Sequence, residues 1–159
     1  CGSPKAEGSS RLHWLGGAFK RRTVLPIQTT TPTQGEHDMN TQRHIFTVHQ
    51  IHLTRAEIDA VNRDGHLAVP KQVARMDVSI PGGDPGEAAG VAWLAGHFEP
   101  VAKIVAVDNE DVFNIGNIGP EERIAREAEM HSVSVGDIIE GPDGLHVVSS
   151  FGFKPVLFK

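Results

Sequence analysis

The chain is poor in the residues that announce a chemistry. Its 159 residues hold one cysteine, Cys1, and no tyrosine. A single thiol can neither close an internal disulfide nor supply a thiolate metal set by itself, which argues against a disulfide scaffold and a zinc finger. No apolar run approaches the ~20 residues of a membrane helix, and the opening of the chain lacks the continuous apolar stretch of a secretory signal. Positive charge is also scarce: 15 Lys+Arg against 20 Asp+Glu leave a formal charge of -5. That balance disfavours bulk binding to nucleic acid or anionic lipid. The expectation is a soluble cytoplasmic protein with neither membrane nor nucleic acid as its main partner.

What is present suits a globular domain with room for a core, 39% hydrophobic and 22% charged. Residues 1–38, rich in Gly, Ser, Thr and Pro without a sustained period, read as an N-terminal arm, disordered or strand-exchanging. Within it Arg22-Thr-Val-Leu-Pro-Ile27 and the threonines after it could add as an edge strand. The arm carries +2 and residues 39–159 carry -7, so it could dock on an acidic body, its own or a neighbour's. Met39 reads as an alternative start, which leaves open whether residues 1–38 are native.

Residues 39–159 predict one α+β domain. It has a mixed or antiparallel sheet, three to four short helices and a C-terminal β-hairpin or meander. His44-Ile-Phe-Thr-Val-His-Gln-Ile-His-Leu53 is apolar on both faces, as a central strand is. Thr54-Arg-Ala-Glu57 is a capping box, and the helix it opens stops before Gly65. Helices are expected over Glu87–His97, from Asn109, and from Pro120 to about Glu129; strands over Val101–Val107, Val133–Ile139, Leu145–Ser149 and Phe151–Phe158. Gly141-Pro-Asp-Gly144 is the turn between two of them.

Nine histidines raise a metal site, but strand alternation turns His49 away from His44 and His52, which lie about eight residues apart along the strand, and no His-Glu-x-x-His occurs. No metal and no cofactor are expected. The glycines at 82, 83, 86 and 90 lack a phosphate-loop spacing, and Asp84 and Glu87 would repel phosphate. Asp108, Glu110, Asp111, Glu121 and Glu122 sit at helix starts, where carboxylates cap free amides. His131-Ser-Val-Ser-Val-Gly-Asp137 puts a base, hydroxyls and an acid within seven residues. It could be a catalytic set or a structural turn, and without a Gly-x-Ser-x-Gly elbow the sequence leaves the choice open.

Several of these stretches together resemble a known family. Val101-Ala-Lys-Ile-Val-Ala-Val-Asp108, Glu110-Asp-Val-Phe113, Asn117, a Pro-Glu-Glu helix, Met130-His-Ser-Val-Ser-Val-Gly-Asp-Ile-Ile139 and Phe151-Gly-Phe153 resemble, in that order, the YodL-like module of plasmid and mobile-element accessory proteins. The likeness covers the C-terminal part, about a third of the chain. It implies a small accessory protein of mobile DNA, of plasmid or integron-cassette type, and brings no assigned active site. The candidate functional surface is His131, Ser132, Ser134, Asp137, Phe151 and Phe153. The leading expectation is a non-enzymatic protein-interaction module that forms a homo-oligomer and meets an unidentified host or element-encoded protein. The alternatives are a nucleic-acid-binding regulator using the basic arm and a hydrolytic or metal-assisted enzyme using His131 to Asp137.

Overall fold

A computed structural model describes residues 42–80 and 83–159; the expected arm lies outside them. The strands are β1 (His44–Gln50), β2 (Glu99–Ala106), β3 (Ile124–Arg126), β4 (Ile138–Gly141), β5 (Gly144–Val148) and β6 (Phe153–Pro155). They form one antiparallel sheet in the order β3-β2-β1-β4-β5-β6. Four helices accompany it: α1 (Arg55–Asp64), α2 (Pro70–Ser79), α3 (Pro85–Leu94) and α4 (Asn109–Ile118). The architecture is α+β. No helix among the described residues is long and apolar enough to cross a membrane.

Strand alternation divides the core in two. Phe46 and Val48 of β1, Ile104 and Ala106 of β2, Ile139 of β4 and Val148 of β5 face α4, whose Val112 and Ile115 complete this cluster. Neighbouring positions Ile138 and Val147 turn to the opposite face and meet Val78 of α2 with Ala89 and Ala92 of α3. The sheet therefore carries α4 on one face and the α2–α3 pair on the other.

Local signals explain most boundaries. Thr54 and Glu57 form the reciprocal capping box that starts α1. Asp108, one residue before the expected start, caps α4 by accepting the Asp111 amide at 2.8 Å. Pro70 and Pro85 occupy the first turns of α2 and α3, where a missing N–H costs nothing. The Gly141–Gly144 turn joins β4 to β5.

Three expectations change. The helix expected from Pro120 to about Glu129 is a single 3-10 turn, Glu121–Arg123, followed by edge strand β3. Tertiary partners decide this: Ile124 pairs with Ile104, while Arg123 donates to the Val105 carbonyl at 2.7 Å and to Asp111 at 2.8 Å. The strand expected over Val133–Ile139 starts only at Ile138, because residues 134–137 form a turn in which Gly136 takes φ 98. The strand expected over Phe151–Phe158 is reduced to Phe153–Pro155, and the tail beyond it crosses to α3 instead of lengthening the sheet.

Candidate functional site

The end of β1 and the 129–137 loop build a polar recess. Gln50 is the last residue of β1 and is wholly buried. Its Oε1 accepts the His131 backbone N–H at 3.1 Å, while its Nε2 donates to the His131 carbonyl at 3.1 Å and to Asp137 Oδ2 at 2.8 Å. The same Asp137 oxygen accepts the Ser134 N–H at 2.9 Å, and the Asp137 N–H returns a bond to the Ser134 carbonyl at 3.0 Å. One amide side chain thus clamps His131 by its backbone and is itself held by a buried carboxyl. Burial pushes the Asp137 carboxyl above its ordinary range. The Ser134 amide, Gln50 and the charges of His131 and Arg75 pull the other way.

The clamp sets the state of the imidazole. His131 Nδ1 lies 2.9 Å from Gln50 Nε2 and 2.8 Å from the Ser132 carbonyl. Both protons of Gln50 Nε2 are taken by the His131 carbonyl and Asp137, so Nδ1 carries its own proton and donates it to Ser132. In the neutral ring Nε2 is then an acceptor, with no hydrogen-bond partner among the described residues. The Asp137 carboxyl, 3.9 Å from Nδ1, is too far for a hydrogen bond.

Two adjoining recesses of about 310 and 80 Å³ share Ile51, Arg75 and His131. The larger adds His52, Leu53, Ile58, Glu129 and Met130; the smaller adds Ser79, Ser134 and Asp137. The His52 and His131 rings stand 5.4 Å apart. Burial, and then the neighbouring His131, lower the His52 pKa.

The expected surface is brought together only in part. His131 and Asp137 share the recess, and Ser134 reaches Asp137 through its amide. Ser132 contributes its carbonyl, and no serine hydroxyl hydrogen-bonds His131 among the described residues, so no base–nucleophile pair forms there. The strand expected over Phe151–Phe158 would put Phe151 and Phe153 on one face, and the structure separates them. Phe151 is 95% exposed in the turn before β6, whereas Phe153 packs edge-on against Phe113 at 6.5 Å on the α4 side. Gly152, at φ 73, reverses the chain between them. Of the five acids expected at helix starts, Asp108 accepts the Asp111 amide, Asp111 pairs with Arg123 and Glu121 pairs with Arg126. Among the described residues no three His, Cys, Asp or Glu side chains converge as a metal set.

Gln50 and Arg75, which no motif marks, were not legible as site residues. The same holds for a second feature, an apolar groove of about 470 Å³ between α2, α3 and the C-terminal tail. Ile80 (52% exposed), Val91 (70%), Leu94 (67%) and Leu157 (41%) line it. Asp77, Asp84 and Glu87 line it as well, with Lys159 paired to Glu87. The glycines at 86 and 90 are what bring the tail there. Gly86 accepts the Leu157 N–H through its carbonyl at 3.0 Å, and a Cβ at Gly90 would overlap the Leu157 carbonyl. Their four-residue spacing on α3 was the available signal for a close backbone approach.

Comparison with protein-family models, curated proteins and solved structures returned no match.

Proposed function

We propose that this chain is a non-enzymatic protein-interaction module, and that the groove between α2, α3 and the tail receives an apolar segment of its partner. The observation that carries this reading is the joint exposure of Ile80, Val91, Leu94 and Leu157 along one groove. Large apolar side chains gathered on one surface mark an interaction site more often than scattered ones do. The lining acids Asp77, Asp84 and Glu87 favour a segment flanked by Lys or Arg. Lys20-Arg-Arg-Thr-Val-Leu-Pro-Ile27 has that composition, which makes a second copy of the chain the partner in this proposal and the assembly a homo-oligomer. The resemblance over Val101–Val156 supports a setting among mobile-DNA accessory proteins, and the low cysteine content fits a cytoplasmic one.

Light scattering on the full chain tests it. Association is expected at about 100 μM, where any micromolar Kd is visible, and Leu94→Glu or Val91→Glu should abolish it. A wild-type chain that stays monomeric there and retains no partner in a pull-down would sink the reading.

A further inference from the structure

The recess beside Gln50 and Asp137 joins an apolar lining to a cationic group and two imidazoles. Ile51, Leu53, Ile58 and Met130 supply the apolar part. Arg75 has no carboxylate within ion-pair distance among the described residues, so its charge is free for a ligand. His131 is clamped through its backbone and carries its proton on Nδ1, which holds its ring in place at the recess, with the His52 ring 5.4 Å away. At about 310 Å³ the recess matches the lower end of small-molecule sites and has room for about ten non-hydrogen atoms.

We propose that this recess binds a small organic anion, its apolar body against Ile51, Leu53, Ile58 and Met130 and its carboxylate or phosphate head on the Arg75 guanidinium, with the two imidazoles alongside. Two acids share the site and have to be weighed. Asp137 has Oδ2 occupied by Gln50 and the Ser134 amide, and burial disfavours its charge. Glu129 is exposed, where water screens its repulsion. His52 decides the pH behaviour: burial and then His131 lower its pKa, while Glu99, Glu129 and Lys71 act more weakly, and Asp137 feels His131 and Arg75. Protonating the His52 ring adds positive charge to the recess that Arg75 lines, so the anion binds more tightly as pH falls through the His52 range and loosens once its own head is protonated.

The experiment is a titration of the full chain followed by the ring signals of His52 and His131, with benzoate, phenyl phosphate and the uncharged benzamide as probes. Benzoate or phenyl phosphate should shift both rings, and whichever does so names the head group. Benzamide should not, and binding should be tighter at about pH 6 than at about pH 8. Arg75→Gln, an exposed position on α2, should weaken binding about tenfold, the loss of one charge-assisted pair. Glu129→Gln should strengthen it, an effect that simple damage to the fold does not produce. Equal binding of benzamide and benzoate would overturn the proposal, as would an unchanged affinity in Arg75→Gln. So would rings that answer Zn²⁺ and neither anion.

Discussion

At the residue scale, Asp137 is the side chain on which most depends. It accepts from the Gln50 side chain and the Ser134 amide with one oxygen, and Gln50 passes that constraint to His131. Asp137→Ala removes the acceptor for both donors and should cost about 2–4 kcal/mol in urea unfolding, since each buried donor left unpaired carries its own penalty. Asp137→Asn keeps an oxygen for the two donors and separates charge from hydrogen bonding. Burial raises the native carboxyl pKa above its ordinary 3.8. Below that value the acid is protonated folded and unfolded, and its full contribution to stability is present. As pH rises through the native pKa the folded state must carry a buried charge, and that contribution is lost. The stability of wild type relative to Asp137→Asn should therefore fall between pH 3.8 and neutrality. A difference that is flat or rises with pH would mean that hydrogen bonds and positive neighbours outweigh burial. Little of this was legible in advance. Nearness in sequence marks Asp137 and His131, but Gln50, which joins them, is 87 residues from Asp137 and belongs to no motif.

At the element scale, legibility follows the reach of the forces involved. The capping box of α1 and the Gly141–Gly144 turn are set by neighbouring residues and are read from the sequence, whereas the helix starts at Pro70 and Pro85 lie in a Pro- and Gly-rich stretch that reads as turns. β3 is set by distant partners. Glu121-Glu-Arg suits a helix start by local propensity, yet Arg123 is captured by β2 and Asp111, and Ile124 pairs with Ile104. The tail is a second such case, since it leaves β6 to lie on α3 where Gly86 and Gly90 have no side chains. Gly90→Ala should raise the helix propensity of α3 and still destabilise the protein, because the new methyl group displaces Leu157. A net loss of about 1–3 kcal/mol is expected from overpacking, with faster amide exchange confined to residues 156–159. Thr54→Ala provides the comparison: a lost cap should cost about 1 kcal/mol and leave the tail unaffected. Uniform loss of protection in Gly90→Ala would mean that the tail is no separate element.

At the scale of the whole molecule, charge and apolar surface make different demands on association. Residues 39–159 carry -7 against +2 for residues 1–38, and acids line a groove whose large side chains are apolar. An assembly held by both forces answers salt and mutation separately. Raising NaCl from about 0.05 to about 0.5 M shortens the screening length from roughly 14 to roughly 4 Å and should weaken the self-association of the full chain. Arg21→Glu should lower the affinity at low salt and have little effect at high salt, because its contribution is already screened there. Leu94→Glu should remove association under both conditions, since it places a charge where a partner must exclude water. These two responses can be told apart by sedimentation velocity on the same concentration series. If Leu94→Glu had no effect while Arg21→Glu removed the dimer, the contact would be electrostatic and lie elsewhere, and the groove would lose its assigned partner. If salt strengthened association and Arg21→Glu had no effect, the groove would close on another apolar surface of the domain, and the basic segment would have no part in it.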